Sequence, residues 1–163
     1  MAILYLMCGC PGSGKSTWVQ ENMDLENDVW VSRDAIRFSL LGEHDDYFSK
    51  ENLVYNTFIN TIDSYINAGK NVFADATHLN SASRGKLLKR LKSKPQEVNI
   101  VWVDTPLNIA LEQNELRAGT RAYVPPEQVR RMYNSFEAPL FYEGFKKIFI
   151  VKDGEIIKML EDI

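Results

Sequence analysis

Residues 3–8, "ILYLMC", are apolar without a break and run straight into "GCPGSGKST". An uninterrupted apolar hexamer ended by glycine suits a strand covered on both faces, the usual setting of a central parallel strand. The nonamer after it fits G-x-x-x-x-G-K-[ST], with Gly9, Gly14, Lys15 and Ser16 in register, between a strand and a helix. Glycines there let the backbone wrap phosphates and turn its N–H groups inward, and the helix adds the positive end of its dipole. Lys15 reaches the outer phosphates, and the Ser16 hydroxyl suits magnesium. The expected nucleotide contacts therefore run through Gly9, Cys10, Pro11, Gly12, Ser13, Gly14, Lys15, Ser16 and Thr17.

Further strands are expected at residues 29–32, 72–76 and 98–104. Helices are expected at 15–22, from Asp34 to a stop at Gly42, at 47–67, from a Ser81 or Ser83 cap to 92, at 106–117 and at 127–136. In the long helix Val54, Phe58, Ile62 and Ile66 form one stripe. The segment "KKIFIVKDGEIIKML" reads as two strands joined at Asp153-Gly154. Strands alternating with helices make an α/β domain with a mostly parallel sheet, and 163 residues suit one domain. Ligands in such sheets sit beyond the carboxyl ends of the strands. Residues 9–17, 32–37, 75–80 and Asp104 should therefore face one cleft.

With 45% hydrophobic and 25% charged residues, the composition is that of an ordinary globular chain. A net charge of −3 argues against coating nucleic acid through a broad basic surface, but leaves room to grip one strand end with a few arginines. Cys8 and Cys10 lie two apart on or beside a buried strand, too close to pair, which points to a reducing, cytoplasmic setting. The apolar start lacks a basic n-region, and no segment is long enough to span a bilayer. There is no N-K-x-D, and "DATH" stands where a GTPase switch would carry D-x-x-G, so ATP is the expected nucleotide.

Several residues then have two readings. In "VSRDAIR", Asp34 is either a helix cap or a carboxylate that takes the proton of an attacking hydroxyl, and Arg37 is either solvated or binds an anionic part of the acceptor. Asp75 ends the apolar run "VFAD", as an aspartate that holds magnesium does; the other reading has Asp75 or Thr77 capping the turn. Arg117 and Arg121 flank "AGT" in a loop able to close over phosphates. His78 and His44 have no partner and read as loop and surface residues. Residues 83–94, "SRGKLLKRLKSK", read as a solvated basic face pointing away from the cleft, with Arg84 the exception.

The strings "GCPGSGKSTW", "SRDAIR", "DATHLN", "RAGTRAYVP" and "EGFKKIFIV", in this order, resemble the polynucleotide 5′-hydroxyl kinase family over nearly the whole chain. The resemblance implies a P-loop kinase fold: a five-stranded parallel sheet flanked by helices, with a small arginine-bearing lid and a C-terminal hairpin. It implies transfer of the ATP γ-phosphate to the 5′-OH end of DNA or RNA, with magnesium. Lys15 and Ser16 would contact phosphate and metal, Asp34 would be the general base, Arg37 the contact to the acceptor's nearest phosphate, and Arg117 and Arg121 the lid arginines. Gln113-Asn114 departs from the family's arginine-asparagine pair, which leaves open which lid arginines act. No protein partner is evident, and the chain reads as a stand-alone kinase. The competing readings are a small-molecule hydroxyl kinase on the same fold and a nucleotide-binding regulator without transfer chemistry.

Overall fold

A computed structural model describes all 163 residues. The chain runs β1 (Ile3–Cys8), α1 (Lys15–Asn22), β2 (Asp28–Ser32), α2 (Arg33–Leu40), α3 (Glu51–Asn67), β3 (Asn71–Asp75) and α4 (Ser81–Arg90). It continues with β4 (Glu97–Val103), α5 (Leu107–Glu115), α6 (Pro126–Ser135), a short 3₁₀ turn (Phe141–Glu143), β5 (Lys147–Lys152) and β6 (Glu155–Glu161). All six strands form one sheet in the order β2-β3-β1-β4-β5-β6. The first five are parallel, and β6 returns antiparallel to β5 at the edge. The expected hairpin therefore extends the five-stranded sheet to six. Its Asp153 and Gly154 both have positive φ (51° and 76°), which matches the twist of a tight hairpin.

The apolar start behaves as a doubly buried strand. Leu4, Leu6 and Cys8 enter a core beneath α3 and α4 with Phe58, Ile62 and Leu87. Met7 faces the opposite side with Trp18, Phe73 and Val101. Alternation along one strand thus feeds two cores, which is why no polar residue interrupts it. The α3 stripe Val54, Phe58, Ile62 and Ile66 is buried throughout.

Three local expectations are corrected. Ser32, not Asp34, caps α2: its Oγ accepts the Ala35 N–H at 3.1 Å. Asn80 caps α4 by accepting the Ser83 N–H at 2.8 Å, in place of Ser81 or Ser83. Helix α3 begins at Glu51 rather than near residue 47, because the chain turns first and sends the Tyr47 hydroxyl back to α2.

Register positions the cleft. Ser32 pairs with Asp75, and Asp75 with Met7, so the carboxyl ends of β2, β3 and β1 lie side by side. The Gly9 N–H donates to the Thr77 carbonyl at 3.1 Å, joining the first loop to the third.

Candidate active site

A cleft of about 470 Å³ opens along this edge, walled by the loop after β1, the start of α2, the end of β3 and the segment around Arg117. Pro11, Gly12, Gly14, Lys15 and Ser16 line it directly. Gly12 has φ +81° and packs so closely on α5 that a Cβ would stand 2.4 Å from the Ala110 carbonyl oxygen. Only glycine fits there. Behind the lining, Lys15 Nζ donates to the carbonyls of Gly9 (3.0 Å) and Cys10 (3.1 Å) and to Ser13 Oγ (3.4 Å). Burial pulls the Lys15 pKa below its ordinary value, with the Asp75 charge opposing. No side chain caps the N-terminus of α1, which leaves its first-turn N–H groups for an anion. Thr17 is exposed on α1 and does not line the cleft. Cys8 and Cys10 are free and buried, and burial pushes the Cys8 thiol up to about 12.

Asp75 is buried at the end of β3. Its Oδ2 accepts from Ser16 Oγ at 2.6 Å and from the Trp30 indole at 2.9 Å. The two oxygens the sequence assigns to a metal are therefore neighbours, and both residues line the cleft beside the glycine-rich loop.

With Ser32 serving as cap, the Asp34 carboxylate is available on the first turn of α2. Its Oδ1 accepts from Arg37 Nη1 at 2.5 Å and from the Tyr47 hydroxyl at 2.9 Å, while Oδ2 has no partner. The side chain remains 55% exposed and lines the cleft. Arg37 is buried and fully engaged. Beyond Asp34 and Tyr47 it donates Nη2 to both Glu51 oxygens at 2.8 Å and Nε to Glu51 at 3.3 Å. Its guanidinium lies over the Tyr47 ring, 4.2 Å from the centroid. Arg33 Nη2 also donates to Glu51, at 2.5 Å. Burial raises the Glu51 pKa, but the hydrogen bonds and charges of Arg37 and Arg33 outweigh it and hold the carboxyl below its usual range. Burial, and then the Asp34 charge, raise the Tyr47 phenol well above its ordinary value.

Of the two arginines expected in a lid, Arg117 lines the cleft. Arg121 instead turns away, with Nη2 3.3 Å from the Gly42 carbonyl and its guanidinium over Phe38. Sequence reasoning missed Asn114. Fully buried on α5, it donates to the Val124 carbonyl (2.6 Å) and accepts the Val124 N–H (3.1 Å), which ties down the far end of the Arg117 loop. It also missed Tyr47 and Glu51, which approach α2 only through the fold. His78 lies in the loop after β3 as expected, but it is buried: burial pulls its pKa down to about 4, and Nδ1 lies 2.6 Å from the Met7 carbonyl. Arg84, the expected exception in its basic segment, is fully buried and forks onto Glu143 at 2.8 and 3.1 Å. The rest of that segment does not all point away, since Lys86 lines a second cleft.

The profile of the AAA-domain family matches residues 4–139. The chain belongs to that family. This AAA domain is 26% identical over 161 residues to transcription factor bHLH140 of Arabidopsis thaliana, covering 94% of this chain but only 16% of that protein. Among solved structures it resembles a chain of the Pnkp1/Rnl/Hen1 RNA repair complex, with TM-score 0.68 and 20% identity over 82% of this chain and 43% of that one. A gluconokinase from Sinorhizobium meliloti 1021 superposes with TM-score 0.60 and 17% identity, over 91% of this chain and 81% of that one. Chaetomium thermophilum Kti12 in complex with ADP-AlF3 gives TM-score 0.64 and 16% identity, over 92% and 89%. The AAA domain has the P-loop kinase fold, and that fold implies nucleotide binding. No helix is long and apolar enough to cross a membrane.

Proposed function

We propose that the protein is an ATP-dependent kinase that phosphorylates the 5′-hydroxyl end of a polynucleotide, DNA or RNA, with the 163 residues acting as one kinase domain. One observation carries the reading. The Asp34 carboxylate has one oxygen anchored by Arg37 and Tyr47 and the other free, in the same cleft as Lys15 and Arg117. A base needs such an arrangement, with orientation fixed and one lone pair available. The likeness to a chain of an RNA repair complex supports a nucleic-acid acceptor.

In the reaction the free Asp34 oxygen accepts the proton of the attacking hydroxyl. A bond forms from the acceptor's hydroxyl oxygen to the γ-phosphorus as the bond to the β–γ bridging oxygen breaks and ADP leaves. Lys15 and the N-terminus of α1 hold the phosphates, and Arg117 offsets charge on the transferred group. Arg37, with all five N–H groups spent, orients Asp34, and it contacts an acceptor phosphate by exchanging a Glu51 bond for it. Ser16 and Asp75, two hard oxygens 2.6 Å apart, are the side chains that would hold a magnesium ion. Bound there, the ion would neutralise phosphate charge.

The second reading, a kinase of a small hydroxyl compound, is favoured by the gluconokinase likeness, which covers more of both chains. An acceptor panel with labelled ATP separates the two: 5′-OH DNA and RNA oligonucleotides, nucleosides, gluconate and other sugars. Transfer to oligonucleotide ends supports the proposal, and transfer to a metabolite alone rejects it. Asp34→Asn should lower transfer by about 10²–10⁴-fold with ATP binding retained. Unchanged turnover in that variant would remove Asp34 from the chemistry.

A further inference from the structure

A second cleft of about 340 Å³ shares Arg33, Glu51 and Thr77 with the first. Those three residues form a saddle, and beyond it the walls are one face of α3 and the start of α4, including Tyr55, Asn80, Ser83 and Lys86. Three cations gather round the Tyr55 ring: Arg33 at 5.0 Å and Lys86 at 5.3 Å from within the lining, and Arg90 at 5.1 Å from just outside it. Neither Lys86 nor Arg90 pairs with a carboxylate; Arg90 donates only to Asn56. The lining holds a single acid, Glu51, already shared between Arg33 and Arg37. Arg33 Nε is buried with no hydrogen-bond partner. The local charge is therefore positive in a chain whose net charge is −3. Arg33 has Glu51 as its counter-ion, but Lys86 and Arg90 share the ring with it and have none, and an anion laid between them removes that repulsion.

We infer that the second cleft is a strand track that holds the backbone phosphates of the nucleotides following the reactive one, through Lys86, Arg90 and Arg33. The inference rests on the polynucleotide reading and makes it specific. The acceptor end lies at Asp34, the chain crosses the saddle, and its next phosphodiesters lie along α4. Phosphate contacts of this kind position a strand without reading its sequence. The enzyme should therefore favour length over sequence in its acceptor.

The test compares wild type with Lys86→Ala/Arg90→Ala, and with Lys89→Ala/Lys92→Ala as a control of equal charge on exposed residues that neither line the cleft nor lie over the Tyr55 ring. Transfer to 5′-OH dinucleotides and octanucleotides of DNA and RNA is measured, together with anisotropy of a 3′-labelled octanucleotide over a salt series. In wild type kcat/KM should rise from dinucleotide to octanucleotide. The cleft variant should lose about tenfold of that ratio, as two exposed charge contacts allow. Its log–log salt slope for binding should shrink by about 1.4, the value for two phosphates on a single strand. Octanucleotide phosphorylation with ratio and slope unchanged, or equally reduced in the control, overturns the track and leaves the kinase reading standing. Variant-sensitive octanucleotide binding with transfer only to small hydroxyls upholds the track and rejects the polynucleotide kinase. Neither binding nor transfer rejects both.

Discussion

Glu51→Gln tests whether the Glu51 charge holds the arginine pair behind the candidate base. The carboxylate accepts from Arg33 Nη2 at 2.5 Å, from Arg37 Nη2 at 2.8 Å on each oxygen, and from Arg37 Nε at 3.3 Å. Glutamine keeps one carbonyl acceptor and turns its amide donors toward guanidinium N–H groups. Exchanging about two charge-assisted bonds for neutral or mismatched ones costs roughly 1 kcal/mol each. The Glu51 side chain is 29% exposed, so solvent trims the loss, and about 1–3 kcal/mol is expected at pH 7. At roughly 2–4 °C per kcal/mol for a domain of this size, Tm should fall by about 2–12 °C. The sign with pH follows from the depressed carboxyl. Its contribution is complete above the unfolded pKa of about 4.3, and is lost as pH falls through the lower folded value. Melts of both proteins at pH 7 and at pH 3 should therefore show a gap that narrows in acid. An equal Tm at pH 7, or a gap that widens in acid, would refute the arginine clamp.

Two further substitutions probe the walls of the cleft. Asn114→Ala removes both bonds to Val124 and leaves that peptide unpartnered, at a cost of about 2 kcal/mol. Amide exchange across residues 116–125 should accelerate and KM for ATP should rise more than kcat falls; unchanged exchange there would contradict the latch. Gly12→Ala forces a Cβ into the Ala110 carbonyl at positive φ, so equilibrium ATP binding should weaken by at least about tenfold. A wild-type Kd would show that the loop adapts.

The sheet, the phosphate loop and the α3 stripe were legible because each is written in contiguous residues with a short period. The five parallel strands lie within about a residue of expectation, since apolar runs bounded by turn residues leave little freedom. Caps were harder. Ser32 and Asp34 are both capping residues two positions apart, and only the pairing of Ser32 with Asp75, which keeps Ser32 extended, decides between them. Glu51 meets Arg37 across 14 positions and Tyr47 meets it across 10, with a turn between, so no periodicity could announce them. Asn114 stood beside the departing Gln113, in the place of the familial asparagine, and nothing local announced it as a buried amide. Lys86 and Arg90 were submerged in a basic segment whose two sides composition alone could not separate.

The strand order also governs when the molecule can assemble as it is made. Strand β1 pairs with β3 and β4, and not with β2, the next strand in sequence. Its most apolar stretch therefore waits for residues 71–75 before gaining a first partner, and for residues 97–103 before gaining a second. At about 5–20 residues per second, that leaves "ILYLMC" without a first partner for roughly 3–13 s of synthesis and without a second for roughly 5–19 s. Helix α1 and strand β2 emerge during that interval, and α1 supplies Trp18 and Val19 to one face of β1. A ribosome that paused before residue 75 would hold a nascent chain with its future central strand unpaired, and that is the window in which a chaperone would find it.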